Sequence, residues 1–329
     1  MVCSLVLEGH GNFRVKIALS LVSRKGLLLK HIRHKDNRPG VYDAEVCLLK
    51  LVDKLSNGTV ININDRGTIV TVSPGTLIGG DFSFDCSNTR SIGYCVEFLL
   101  MIAPFCKVPI EATLTGISNN LHDPSIGMIA QPWLPIYRSV VGLSASASTK
   151  IDIRKRGVYP GGCAEVLFTS KPCSGIVPIN KTEVRKVYRI RDVAWSCRVS
   201  PSYAQSLVPG AKSLLNQFLS DVYLTKDHRK GQYTGKSPGF GLTLSAERKD
   251  RGIYSAEAMS KPEGSGNVPI DAETVTFNFQ YQSQNNPTKS SEENMHEERH
   301  DDSNIDANGK ILIATCLGAG VQNINKSIR

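Results

Sequence analysis

Apolar and polar positions in the first 170 residues switch repeatedly between a period near 3.6 and a period of two, and the switches predict the elements. Residues 15–23, with Val15, Ile17, Leu19 and Leu21, are predicted as a helix of imperfect period. Residues 27–32 follow as a strand that ends in the basic loop 34–40. From 42 to 55, Val46, Leu48, Leu49 and Val52 recur at spacings near three and four, which predicts an amphipathic helix. β-Branched runs at 59–64 and 68–72 flank Asp65-Arg66-Gly67 and predict a hairpin. The order then returns as strand 80–84, helix 91–104, strand 109–115 and helix 124–141. Strands 149–154 and 164–169 follow around the turn Tyr159-Pro160-Gly161-Gly162. Asp123 before Pro124 predicts the cap of the 124–141 helix. The second series reads strand–helix–strand–helix–strand–strand, and the first lacks only an opening strand. A repeated unit of about 80 residues is the simplest reading. Each unit lays two helices on one face of a sheet and needs a neighbour to close its core.

Beyond residue 178 the texture changes. Residues 187–199 are strand-like, 201–219 form a helix expected to be disturbed at Pro209-Gly210, and 222–225, 242–246 and 253–258 are short strands. These predict a second, smaller α/β domain. Residues 280–309 are rich in Gln, Asn, Ser, Glu and Asp and hold almost nothing apolar to bury, a disorder-prone composition. Residues 310–317 read as one last buried strand.

Charge changes the picture next. Among 329 residues, 39 Lys and Arg stand against 30 Asp and Glu, a net +9, a surplus that favours a polyanionic partner. The start, Met1 to Glu8, reads as no secretory signal. The most apolar stretch, 95–105, carries Glu97 and Pro104 and falls short of the roughly 18 residues of a membrane helix. No membrane partner is expected. Nine cysteines without paired spacing read as reduced thiols. The basic residues gather in three groups. Arg24, Lys25, Lys30, Arg33, Lys35 and Arg38 form one. Lys150, Arg154, Lys155 and Arg156 form another. Lys181, Arg185, Lys186, Arg189, Arg191 and Arg198 form the last, with Tyr188 and Trp195 interleaved. Such groups neutralise phosphates, and nearby aromatic rings stack on bases. A solvated charged face is the alternative for any one of them.

Two motif matches lack their context. His296-Glu297-Glu298-Arg299-His300 has the zinc-protease spacing, but it sits in a polar acidic run with no amphipathic helix to hold both imidazoles. Gly231-Gln232-Tyr233-Thr234-Gly235-Lys236-Ser237 is one residue short of a phosphate loop and lies between two strands, so no helix dipole meets a phosphate there. No metal site and no cofactor are expected.

A resemblance then becomes legible. Arg38-Pro39-Gly40, Asn57-Gly58, Pro74-Gly75, Gly79-Gly80, Arg90 to Tyr94, Ala103-Pro104-Phe105, Arg156-Gly157, Pro160-Gly161-Gly162 and Arg198 to Pro201 recur in this order in one family. So do Asp227-His228, Lys230-Gly231 and Gly235 to Leu242. The chain resembles the RNA 3'-terminal phosphate cyclase family, in its eukaryotic cyclase-like subgroup, over residues 1–266 and again from 310 onward. The resemblance implies an α+β fold of repeated two-helix/four-stranded-sheet units, with a smaller α/β domain inserted into the third. Residues 1–178 would hold units one and two, and 179–266 the inserted domain. The acidic segment 267–309 would replace most of an incomplete third unit, with 310–329 its last strand and tail. The resemblance further implies a nucleolar factor in small-subunit rRNA processing. Its partners would be pre-ribosomal RNA, a Bms-type GTPase and the small nucleolar ribonucleoprotein processing complex.

The departures bear on activity. Cyclases carry a Gln-His pair early in the chain, where Ala44-Glu45 stand here, and are adenylated on a late histidine that residues 267–309 do not supply in context. Without the nucleophile, nucleotidyl transfer loses its covalent intermediate, and a non-catalytic protein is expected. RNA-binding candidates are Arg14, Arg33, Arg38, Arg90, Arg154, Lys155, Arg156, Arg189, Arg198 and Lys236. Two alternatives stay open. One is an RNA endonuclease using Asp227, His228 and Lys230, and the other is a residual ATP-dependent cyclase.

Overall fold

Period-two burial builds three four-stranded sheets in the computed structural model, which describes residues 5–141, 148–173, 175–178, 186–216 and 219–262. The first series runs β1 (Leu5–Glu8), α1 (Phe13–Ser23), β2 (Leu27–Lys30), α2 (Asp43–Leu55), β3 (Ser56–Asn57), β4 (Val60–Ile63), β5 (Val70–Ser73) and β6 (Thr76–Leu77). Its sheet has the order β1-β2-β5-β4, and β3 pairs with β6 alongside. The second series runs β7 (Gly80–Asp85), α3 (Ile92–Ile102), β8 (Ile110–Gly116), α4 (Ile126–Met128), α5 (Leu134–Val140), β9 (Lys150–Lys155) and β10 (Ala164–Ser170). Its sheet has the order β7-β8-β10-β9. Both sheets take their strands in the sequence first, second, fourth, third, with one parallel pair followed by two antiparallel pairs.

A single apolar cluster joins these two sheets through Ile17 of α1, Leu48 and Leu51 of α2, Phe98 and Leu99 of α3, and Val72, Leu114 and Phe168 of the strands. Helix α3 is buried on nearly every side. Its one carboxylate, Glu97, is therefore enclosed and requires a cation. Burying Phe98 completely contributes about 2–3 kcal/mol.

The third sheet runs β11 (Val187–Cys197), α6 (Pro201–Leu215), β12 (Val222–Arg229), β13 (Gly239–Arg248) and β14 (Ile253–Met259), in the order β12-β11-β13-β14. Ala204, Leu207 and Ala211 of α6 pack on Ala194, Leu224 and Leu242. The opposite face turns to the second series, where Val158, between β9 and β10, forms a small cluster with Trp195 and Cys197.

Five expectations change. The first sheet does have an opening strand, β1; only four residues long, with Glu8 closing it, it gives too few alternations to read. The helix expected over 124–141 is three pieces, with a π-helical turn Ile129–Trp133 between α4 and α5. Pro132 lies inside that turn and has no N–H for the regular ladder. Its cap is Ser125, whose Oγ accepts from the Met128 N–H at 3.0 Å; Asp123 is used elsewhere. Helix α6 runs unbroken through Pro209-Gly210, because both face solvent and water can satisfy the carbonyl that Pro209 leaves unpaired. Strand β12 extends four residues past the predicted end, which places Asp227 and His228 within it. The acidic segment, the 310–317 strand, His296 and His300 lie outside the described residues.

Candidate functional site

Three arginines converge on the N-terminal ends of α2 and α3, each closed by a carboxylate from another part of the chain. Arg33, held at φ +43° after β2, forks onto Glu45 of α2, with Nη1–Oε2 at 2.8 Å and Nη2–Oε1 at 2.9 Å. Glu45 also accepts from the Tyr42 N–H at 2.8 Å, capping the helix that carries it. Arg33 lies 3.8 Å over the Tyr42 ring, and Arg38 lies 5.4 Å from the same ring. Arg14, in the first turn of α1, pairs with Glu97 of α3 and donates to the Tyr94 carbonyl at 3.3 Å. Arg90 pairs with Asp123, its Nε reaching the two carboxylate oxygens at 2.9 and 3.0 Å.

Tyr94 connects the set. Arg14 and Arg90 sit 4.2 and 4.7 Å from its ring centre. Burial pushes its phenol pKa up, helped by the Glu45 charge and opposed by both arginines. Burial also raises the carboxyl of Asp123, but Arg90, the Asn120 amide and the Ser91 N–H outweigh it and hold the group below the usual range. Asp123 is thus ionised at neutral pH and neutralises Arg90. Glu45 and Glu97 likewise meet Arg33 and Arg14 at close range. A phosphate entering here would have to displace a carboxylate from every guanidinium it met.

This revises the sequence reading of Arg14 and Arg33. Both are buried, and both are held by internal carboxylates rather than presented at the surface. Arg156 is buried too: Nη1 donates to Asn119 Oδ1 and Nη2 to Asp227 Oδ2, each at 3.0 Å. Arg90 keeps a quarter of its side chain exposed but is committed to Asp123.

Asp227, His228 and Lys230 are not gathered on one target. Neighbouring residues of a strand point to opposite faces. Asp227 meets Arg156 and, at 2.7 Å, Arg229 Nε, while His228 Nδ1 lies 2.9 Å from Ser196 Oγ. Burial raises the Asp227 carboxyl, yet Arg156 and Arg229 bring it below its ordinary value, which makes it a weak base. Lys230 is exposed just beyond the strand.

The remaining candidates are at the surface. Arg38 is 69% exposed and reaches Asp43 at 3.6 Å, with exposed Lys35 in the same loop, while exposed Arg24 and Lys25 lie at the other end of β2, after α1. Arg154 pairs with Glu165 at 3.3 Å on the open face of the second sheet, with Lys155 next in β9. Arg189 pairs with Glu247 at 2.5 Å, Arg198 donates to the Gly235 carbonyl at 3.3 Å, and Lys236 is exposed. Lys181 and Arg185 lie outside the described residues. Among the described residues no group of three His, Cys, Asp or Glu is placed to hold a metal ion, and no helix is long and apolar enough to cross a membrane. Sequence reasoning missed Glu97, Asp123 and Asn119 as partners, since each lies more than 30 residues from its arginine.

Fold and site together define an α+β protein of similarly ordered sheets whose central arginines are internally neutralised. The family model described as RNA 3'-terminal phosphate cyclase matches residues 5–320. The chain is 41% identical over 263 residues to the RNA 3'-terminal phosphate cyclase-like proteins of Mus musculus and Homo sapiens, covering 80% of this chain and 70% of each relative. It is 35% identical over 257 residues to the rRNA processing protein rcl1 of Schizosaccharomyces pombe, covering 78% and 69%. The chain belongs to the RNA 3'-terminal phosphate cyclase family.

Proposed function

We propose that this protein is a ribosome biogenesis factor that binds pre-ribosomal RNA during early processing of small-subunit rRNA, without cyclase activity. The observation that carries the reading is the closed set of ion pairs. Glu45 stands where cyclases carry histidine and occupies both terminal nitrogens of Arg33, with Arg14 and Arg90 closed in the same way. Such a centre favours its own carboxylates over nucleotide phosphates, while exposed Lys35 and Arg38, in the loop beside it, remain available to RNA. The rRNA processing protein rcl1, related at 35% identity, supports the pathway. A Bms-type GTPase and the small nucleolar ribonucleoprotein processing complex are the partners in this reading, and the nucleolus is its place of action.

Affinity purification from growing cells tests it. Pre-rRNA and the GTPase should copurify, and the purified protein should acquire no label from radioactive ATP. Recovery without precursor RNA, or a covalently adenylated band, would overturn the reading.

A further inference from the structure

Three loops meet at one end of the third sheet. Arg198 directly follows β11, Lys230 directly follows β12, and Lys236 lies shortly before β13. Strands β11 and β12 are parallel and β13 runs against them, so all three positions share that end. The turn between β9 and β10 joins them there through isolated bridges from Arg156 to Thr234 and from Val158 to Ser237. We propose that this end is a second RNA-binding surface for an unpaired strand, whose phosphates meet Lys230, Lys236 and Arg198 and whose bases stack on Tyr233 and Tyr159.

Backbone contacts hold the loops against one another. The Arg156 N–H donates to the Tyr233 carbonyl at 3.1 Å, the Gly235 N–H to the Arg156 carbonyl at 2.6 Å, and the Lys236 N–H to the Gly162 carbonyl at 3.3 Å. The Gly161 N–H donates to Ser237 Oγ at 2.9 Å, and Arg198 Nη1 donates to the Gly235 carbonyl at 3.3 Å. A Cβ on Gly235 would lie 1.9 Å from the Gly162 carbonyl oxygen, so only glycine lets the loops come this close. The stretch from Gly231 to Ser237, one residue short of a phosphate loop, is thus the piece that fixes Tyr233 and Lys236 against the second series.

Charge selects a polyanion. Residues 153–164, 193–220 and 228–246 contain no Asp or Glu. Carboxylates from outside these stretches are already matched: Asp152 and Glu165 meet Arg154, and Asp227 meets Arg156 and Arg229, three acids against three bases. Lys230, Lys236 and Arg198 are exposed, and among the described residues none of them pairs with a carboxylate. Three positive charges are left over.

The rings select the kind of polyanion. Tyr233 and Tyr159 are 52% and 43% exposed on these fixed loops. An acidic peptide would use the cations and leave both rings in water, whereas an unpaired strand stacks its bases on rings and sets its phosphates on cations. The inference shares with the reading above only the class of partner, since that reading rests on Lys35 and Arg38 in the first series.

The test is the anisotropy of a short labelled single-stranded RNA titrated with the full chain. Tyr233→Ala, at an exposed position, should weaken binding roughly five-fold or more, while Tyr233→Phe, which keeps the ring, should bind as the parent does. Changing Lys230 and Lys236 together to alanine should make the fall of log affinity with log salt shallower by about 1.4. The Tyr233→Ala loss should persist when Lys35 and Arg38 are both alanine. Unchanged affinity in Tyr233→Ala, an unchanged salt slope in the double lysine variant, or displacement of the RNA by polyglutamate as readily as by unlabelled RNA would overturn this surface. Binding that responds only to Lys35 and Arg38 would also overturn it, and would leave the earlier reading standing.

Discussion

Glu45 decides the character of the central site at the level of single residues. Its carboxylate takes both terminal nitrogens of Arg33 and the N–H of Tyr42, and it is buried. Removing one partner of a buried pair leaves the other charge uncompensated, at a cost of about 3–5 kcal/mol. Glu45→Gln should therefore lower the unfolding free energy by roughly 3 kcal/mol in urea titration; a loss below about 0.5 kcal/mol, the scale of a surface substitution, would show the pair to be dispensable. Arg14 and Arg33 were legible in the sequence as residues of interest. Their partners were not. Nothing local links Arg14 to Glu97 or Arg90 to Asp123, because those meetings are made by packing α1 on α3 and by folding one loop against another.

At the scale of elements, long periodic segments were readable and short or proline-bearing ones were not. Helix α2 begins within one residue of its predicted start, since its apolar stripe spans more than three turns. Strand β1 was missed for want of length, and the helix expected over 124–141 was misjudged because a periodic pattern says nothing of the hydrogen bond Pro132 lacks. The predicted cap failed instructively. Asp123 does close a helix end, but α3 rather than α4: it accepts from the Ser91 N–H at 3.0 Å while gripping Arg90. Its folded-state pKa is depressed, so its contribution is complete above the unfolded value near 3.9 and is lost as pH falls through the lower folded value. Asp123→Asn should therefore be markedly less stable than the parent at pH 7, and the gap should narrow below about pH 4. Urea midpoints at both pH values measure this, and a gap that stayed constant would remove the ion pair from the account.

For the whole molecule, charge is unevenly spread. Residues 291–306 hold seven acids and one base, which leaves 38 bases and 23 acids for the rest of the chain. Each central arginine is matched by one internal carboxylate, so these pairs leave that excess unchanged, and Lys35 and Arg38, in the exposed loop over Tyr42, are part of it. The resemblance to the cyclase family could be read from glycine and proline landmarks, because these mark turns that the fold requires. Which arginines face solvent could not, since that depends on how the sheets close over them. The most direct test of the central claim is the salt dependence of binding to a single-stranded pre-rRNA fragment. The account predicts that log affinity falls linearly with log salt at a slope of roughly −3, as for four or five phosphate contacts, and becomes shallower when Lys35 and Arg38 are changed to alanine. Binding indifferent to salt, or a slope that both substitutions leave unchanged, would contradict it.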